Sequence, residues 1–319
     1  MNPLRAALTG ATGFLGLHVL PALVQAGFEV RILARRDPAP GEPAAAAWDG
    51  LTFETVRGSL NDAGALKALV QDVDVVVHAA GLVKARSQAE FLQVNRDGTA
   101  ALAGAMLAQA PGANFLLISS LAAREPGLSD YAFSKRQAEM AAEAIFAGRE
   151  GQLAIIRPPA IYGPWDRATL AFFQATLLPI APVLGRGRVA VIHACDAALA
   201  IAALAKGWRP GRFVLADERP EGYRMRDVVL AAARATGGRP HVVQLPDALV
   251  LAAGQASALW ARITGKVQIF GPGKAREMVH TDWTVPGTEL LPAEVFTPRV
   301  SLEAGFANTV AWYRRAGWL

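Results

Sequence analysis

The sequence has a single cysteine, Cys195, among 319 residues. One cysteine excludes an internal disulfide. Met1 to Arg5 leads directly into the apolar Ala6-Ala7-Leu8, with no room for the apolar stretch of a secretory leader. Both features point to a reducing, cytoplasmic setting. Long apolar runs are also missing. The most apolar late stretch, Ala248 to Ala261, is interrupted by Gly254, Gln255 and Ser257. It falls short of the ~20 residues that span a bilayer. It reads as a core or interface helix, with a helix lying on a membrane surface as the second reading, and no integral membrane segment is expected. Basic blocks are absent too. The formal net charge is only +5, with arginines scattered at 35–36, 186, 188 and 314–315. A nucleic-acid surface needs a clustered stripe, so nucleic acid is excluded as a partner. A small-molecule substrate is expected, and the apolar helices permit a homodimer.

What is present is an alternation of short β-like and helical runs, in a chain long enough for a large α/β core with an appended lobe. Strands are expected at Leu4–Thr9, Phe28–Leu33, Thr52–Val56, Val73–His78, Phe115–Ser119 and Leu153–Arg157. Helices are expected at Leu15–Ala26, from an Asp62 cap through Val70, at Ala89–Ala110 and at Tyr131–Phe146. Crossovers of this length give a doubly wound parallel sheet of Rossmann type. Residues 1–160 form the expected nucleotide-binding domain. Residues 161–319, richer in Pro and Gly, form a smaller substrate lobe whose chain partly returns to the core. Pro38–Ala47 reads as a flexible loop, and Ser301 as the cap of a last helix to Arg315. Trp165, Phe172, Phe173 and Trp260 are candidates for an apolar substrate pocket.

The strongest local signal is Thr9-Gly10-Ala11-Thr12-Gly13-Phe14-Leu15-Gly16, between the first strand and the first helix. Glycines at this spacing allow a tight turn, close approach of backbone to a pyrophosphate, and helix–strand packing. The helix N-terminus adds free N–H groups and partial positive charge. The second strand then ends in Ala34-Arg35-Arg36, where an acid would bind a ribose 2′-hydroxyl. Two guanidinium groups suit a 2′-phosphate instead, which favours NADP(H) over NAD(H). Asp37 comes too late to serve as that acid.

Tyr131 and Lys135 lie four residues apart, on one helix face. A phenol titrates near ~10, and a neighbouring ammonium would lower that value. The preceding strand ends in Ser119-Ser120, where C-terminal strand ends line the ligand crevice of such sheets. Ser120 there can hydrogen-bond a substrate oxygen while Tyr131 exchanges its proton.

Together these segments resemble the extended short-chain dehydrogenase/reductase superfamily, which includes NAD(P)-dependent epimerases and dehydratases, dihydroflavonol reductases and 3β-hydroxysteroid dehydrogenases. The matching pieces are TGATGFLG (9–16), VVVHAAG (75–81), VNRDGT (94–99), Ser119-Ser120, YAFSK (131–135), RPPAIYGP (157–164) and VIHACDAA (191–198), with a closing helix at VAWYRRAGWL (310–319). The resemblance implies that Tyr131 is the general acid/base, that Lys135 binds ribose and tunes Tyr131, that Ser120 polarises substrate, and that Asn95 supports the site. It places Ser59, Leu60, Ala79, Ala80, Gly81 and Ser119 along the cofactor, and Pro158, Ala160 and Ile161 beside the nicotinamide. His193 and Asp196 match a segment that organises the second lobe, and no metal is implied. Some positions depart from the family. Ser59 stands where many relatives carry an adenine-binding Asp. Leu121 stands near the acid used by sugar-nucleotide dehydratases, and Ala122-Ala123 replaces an aromatic-containing epimerase segment.

The leading expectation is therefore a carbonyl reductase or secondary-alcohol dehydrogenase. A nucleotide-sugar epimerase, with Arg186 and Arg188 holding the diphosphate, is the alternative. A non-catalytic NADP(H)-binding sensor or assembly partner is the third reading.

Overall fold

A computed structural model describes residues 3–264 and 270–319. The first half alternates strand and helix: β1 (Arg5–Thr9), α1 (Gly16–Gln25), β2 (Glu29–Ala34), α2 (Pro43–Ala47), β3 (Glu54–Arg57), α3 (Ala63–Val70), β4 (Val75–His78), α4 (Gln88–Leu92), α5 (Gly98–Gln109), β5 (Asn114–Ile118), α6 (Asp130–Ile145) and β6 (Leu153–Arg157). The second half is β7 (Ala160–Tyr162), α7 (Leu170–Ala175), β8 (Ile180–Val183), β9 (Arg188–Val189), β10 (Val191–His193), α8 (Ala194–Lys206), β11 (Gly211–Val214), β12 (Tyr223–Arg224), α9 (Met225–Thr236), β13 (His241–Gln244), α10 (Asp247–Thr264), α11 (Pro272–Val279), β14 (Asp282–Trp283) and α12 (Leu302–Arg315).

Seven strands form one parallel sheet in the order β11-β6-β5-β4-β1-β2-β3. Its central strands, β1, β4, β5 and β6, are buried on both faces, as a sheet covered by helices on both sides requires. Leu8, Val75, Val77, Leu116 and Ile156 pack on one side, with α1 and α8. Ala7, Val76, Phe115, Leu117 and Ile155 pack on the other, with Leu69, Met106 and Phe146 of α3, α5 and the end of α6. Chain reversal at β1/β4 opens the crevice where such sheets bind ligands.

The chain after residue 160 goes two ways. β11 hydrogen-bonds β6, from Gly211 opposite Ala154 to Val214 opposite Arg157, and α8 lies in the main core. Three small sheets, β10-β7, β12-β9-β14 and β13-β8, lie outside the main sheet. An apolar cluster of Tyr162, Phe173, Tyr223, Phe306, Val310 and Tyr313 joins α9 and α12. Asp196 ties the two parts together, its carboxylate accepting from the backbone N–H groups of Arg299 and Val300, both at 2.8 Å. Ser301 and Asp62 cap α12 and α3 as their sequence positions predict.

Three local expectations are corrected. Pro38–Ala47 is not all loop, because α2 occupies its second half. Pro43 opens the helix with a fixed φ, alanines favour it, and Ala44 and Trp48, one turn apart, are buried. The helix expected from Ala89 to Ala110 is divided by a π-turn over Gln93–Asp97, which carries Asn95. Helix α10 is not a core helix, since most of its described side chains face solvent.

Candidate active site

The glycine turn is held by close packing. Gly10 has φ +75°, and a Cβ there would lie 2.5 Å from the Ala80 nitrogen. A Cβ on Gly16 would lie 2.0 Å from the Gly10 carbonyl oxygen. The Gly13 N–H donates to Gly10 O at 3.0 Å, which closes the turn. Thr12 and Gly13 are exposed at its tip, while Phe14 and Leu15 are half-buried. No side chain caps α1, and since the N–H groups of Leu17, His18 and Val19 bond the carbonyls of Gly13 and Leu15, it is the N–H groups of Phe14, Leu15 and Gly16 that are available to an anion. These features fit the diphosphate of a dinucleotide.

The segment after β4 lies against this turn. Ala79 N donates to Thr9 O and Ala80 N to Thr9 Oγ1, both at 3.2 Å. A Cβ on Gly81 would sit 3.0 Å from Asn95 Oδ1 and 3.8 Å from Lys135 Nζ. Gly81 therefore connects the glycine turn to the Tyr131 helix. At the end of β2, Arg35 and Arg36 are both exposed. Arg36 grips Glu42 with two bonds, at 2.5 and 2.9 Å, and Asp37 pairs with Arg57. Ser59 Oγ accepts from Asn61 N at 3.3 Å, and Leu60 packs on Gly98.

The polar residues meet at the C-terminal end of β5. Ser120 accepts from Ala122 N at 3.2 Å and so caps a short turn. Ser129 caps α6 by accepting from Ala132 N at 3.0 Å, which fixes the first turn, where Tyr131 sits. Burial raises the Tyr131 pKa, a hydrogen bond with Ser120 pulls it down, and the Glu277 charge adds to the rise; the net direction is up. Lys135 is buried and donates from Nζ to Ile118 O at 2.8 Å. Burial lowers its pKa to about 8, against the opposing charge of Glu139. The expectation that Lys135 depresses the Tyr131 pKa is thus corrected: Tyr131 is shifted upward, and Ser120, not the ammonium, opposes the shift. Asn95 is fully engaged. It accepts from Leu82 N at 2.7 Å and donates to Leu82 O at 3.0 Å and Ser134 Oγ at 2.8 Å.

The Ser119 hydroxyl is engaged by a buried carboxylate. Oγ donates to Glu139 Oε1 at 2.6 Å. Glu139, buried and unnoticed in the sequence, also accepts from Arg157 at 2.8 and 2.6 Å and from Arg136 at 3.0 Å. Burial pushes its carboxyl pKa up, but these partners outweigh that and hold it below the usual range. The available signal was its spacing, four residues after Lys135.

A second unnoticed group is His78. Ala80 N donates to Thr9 Oγ1, which lies 2.6 Å from His78 Nδ1; His78 Nε2 lies 3.0 Å from Thr99 Oγ1, which donates to Asn95 O at 2.6 Å. The Thr99 hydroxyl proton is therefore spent on Asn95, and the imidazole must donate from Nε2 and accept at Nδ1. Burial, then the Lys135 charge, push its pKa to about 3, so it remains neutral.

On the far side, Pro158 O accepts from Leu121 N at 2.8 Å, Ala160 is exposed and Ile161 half-buried. The proposed aromatic pocket does not assemble. Phe173 is core, Phe172 packs on Phe173 and Phe306, Trp165 packs on Trp312 at 4.5 Å, and Trp260 points to solvent. Arg188 donates to the carbonyls of Glu221 and Gly222, at 2.7 and 2.5 Å. Those bonds tie the β9–β12 region together. His193 caps α8, accepting from Cys195 N at 3.3 Å.

Comparison with known proteins adds to this geometry. A family model described as NAD dependent epimerase/dehydratase matches residues 6–216. The ceramide reductase of Caulobacter vibrioides (strain NA1000 / CB15N) is 45% identical over 315 residues, covering 98% of this chain and 95% of that one. Among solved structures, the dTDP-glucose 4,6-dehydratase DesIV of Streptomyces venezuelae, with NAD and TYD bound, superposes with a TM-score of 0.75. It is 21% identical and covers 99% of this chain and 98% of its own. The UDP-glucose 4-epimerase of Thermus thermophilus, in complex with NAD, gives 0.71 at 21% identity, covering 98% and 100%. At these identities the two structures show the shared fold.

Proposed function

This chain belongs to the NAD dependent epimerase/dehydratase family, and within it we propose an NAD(P)(H)-dependent carbonyl reductase acting on a carbonyl-bearing lipid of the ceramide class. The reading rests on the position of the Tyr131 helix beside the cofactor segment. Lys135 Nζ donates to Ile118 O at 2.8 Å, just before Ser119-Ser120, and lies 3.8 Å from where a Cβ on Gly81 would be. Ser120 is among the groups that act on the Tyr131 phenol. The lipid substrate is suggested by the ceramide reductase that shares 45% of its residues across nearly the whole chain.

The nicotinamide, when bound, supplies the hydride. The chain's residues do the rest. The turn at Gly10, Gly13 and Gly16 and the start of α1 hold the diphosphate. Ala79, Ala80 and Gly81 flank the adenosine side, and Pro158, Ala160 and Ile161 the nicotinamide side. Ser120 orients the substrate carbonyl oxygen. Tyr131 Oη gives that oxygen its proton as the carbonyl becomes a secondary alcohol. The upward pKa of Tyr131 keeps the phenol protonated at neutral pH, as reduction requires. Lys135 and Asn95 fix the helix and loop around it. NADP(H) is the proposed preference, carried by Arg35 and Arg36. Their present pairing does not oppose it, because an exposed ion pair such as Arg36–Glu42 is readily exchanged.

Nucleotide-sugar chemistry has less support. Arg188 is committed to two carbonyls, and Leu121 stands where a dehydratase would use an acid. In the test, purified protein is given NADPH and a ketone-bearing ceramide, and loss of reduced nicotinamide and formation of alcohol are followed. Tyr131→Phe is expected to lose turnover by about 10²- to 10⁴-fold while still binding NADPH. Equal turnover by that variant would overturn the reading, as would epimerisation of a nucleotide sugar without net cofactor use.

A further inference from the structure

Helix α10 has two unlike sides. On one, Val250 and Gly254 are buried, and a Cβ on Gly254 would come within 2.7 Å of Ala275 Cβ, so α10 lies tightly on α11. The other side carries Leu249, Ala252, Ala253, Ala256, Leu259 and Trp260, all exposed. At 100° per residue they fall within an arc of about 120°. The large ones are open to solvent: Leu249 at 57%, Leu259 at 60% and Trp260 at 66%. Strand β13, which leads into α10, pairs with β8, where Ile180 is again exposed, as are Leu177 and Leu178 just before that strand. An apolar stripe of this length is uncommon on a free surface.

The surrounding charge says what covers it. From Asp247 to Glu277 the sequence carries four cations, Arg262, Lys266, Lys274 and Arg276, against two carboxylates, Asp247 and Glu277, the latter paired with Lys274 at 3.1 Å. Exposed apolar residues with a tryptophan among them, on a segment whose sequence carries a net positive charge, match the interface of an anionic bilayer. Among the described residues no helix is long and apolar enough to cross a membrane.

Helix α11, on which α10 packs, borders the reaction site. Arg276 Nε donates to Leu128 O at 2.7 Å, Glu277 accepts from Ser129 Oγ, and a Cβ on Gly273 would lie 2.8 Å from Ser129 Cβ. Ser129 is two residues from Tyr131. We propose that the outward face of α10 docks on an anionic lipid surface and holds the Tyr131 cleft there, where a lipid substrate resides. The purpose of the docking rests on the lipid-reductase reading; the docking itself does not.

The test is sedimentation of the full chain, without substrate, with vesicles of phosphatidylglycerol and phosphatidylcholine or of phosphatidylcholine alone. Wild type is expected to pellet with the anionic vesicles and far less with the neutral ones. Leu249→Glu and Trp260→Glu, checked for unchanged thermal melting, should each cut the bound fraction at least about tenfold, and Trp260→Phe should restore it. Turnover of a water-soluble ketone should be unaffected, while turnover of a vesicle-embedded one falls. The inference is overturned if wild type binds neither vesicle or if the charged variants bind as wild type does. It is also overturned if the stripe instead holds a dimer that Trp260→Glu dissociates. A protein that binds vesicles but reduces no ketone would remove the catalytic reading and leave the docking in place.

Discussion

Lys135 donates from Nζ to the carbonyl oxygen of Ile118 at 2.8 Å, on the strand that ends just before the two site serines. The ammonium therefore braces β5 against α6 from within the core. Burial disfavours its charge, and its pKa falls from 10.5 to about 8. The unfolded chain thus binds more protons between those values, and stability rises with pH across that window. The cost of the buried charge is in full force below about pH 8 and is relieved toward 10.5. Lys135→Met should stabilise the protein at pH 7 by about 2 kcal/mol, the charge cost outweighing the lost hydrogen bond. Urea unfolding at neutral and alkaline pH checks this; the advantage should shrink as pH rises, and a less stable variant at pH 7 would refute it.

Glu277 reaches the site from α11, accepting from the serine that caps the Tyr131 helix. Its charge is one of the causes that raise the Tyr131 pKa. Glu277→Gln keeps an acceptor for Ser129 and removes the charge. Reduction needs the protonated phenol, so activity falls as pH passes the Tyr131 pKa. In the variant that alkaline limb should move to lower pH, with little change in neutral-pH activity. The pH profile of kcat reads this directly, and a limb that stays in place would show that the carboxylate does not act on Tyr131.

Two glycines in helices should respond oppositely to alanine. At Gly16 the new Cβ would lie 2.0 Å from the Gly10 carbonyl oxygen, with nowhere to move except by opening the turn. Gly16→Ala should cost about 3 kcal/mol and weaken NADPH binding. Gly104, in α5, has nothing within 4 Å of its would-be Cβ. Gly104→Ala should add about 0.5–1 kcal/mol with cofactor binding unchanged. Paired denaturation and cofactor titrations measure both.

The two arginines after β2 are expected to differ. Arg35 has no hydrogen bond or ion pair through its side chain among the described residues, whereas Arg36 is held by Glu42. If they bind a 2′-phosphate, Arg35→Ala should lower NADPH affinity about tenfold and leave NADH unaffected. Glu42→Gln should release Arg36 and strengthen NADPH binding. Equal loss for both nucleotides in Arg35→Ala would contradict the assigned preference.

The sequence by itself determined what depends on neighbours along the chain. Alternating apolar runs produced the parallel sheet and its covering helices. The glycine spacing at 10, 13 and 16 produced the turn, and Asp62 and Ser301 produced helix starts, because caps, turns and periodicity are local physics. Spacing also put Tyr131 and Lys135 on one face. Tertiary structure alone decided where the polar atoms went. Ser119 turned to the buried Glu139–Arg157 pair while Ser120 faced Tyr131, Arg36 found Glu42, and the phenol was shifted by burial instead of by its own helix neighbour. It also decided that α10 would face outward, since Gly254 permits close packing on α11 only along one side. Hydrogen-bond partners and burial are set by segments distant in sequence, which no local pattern records.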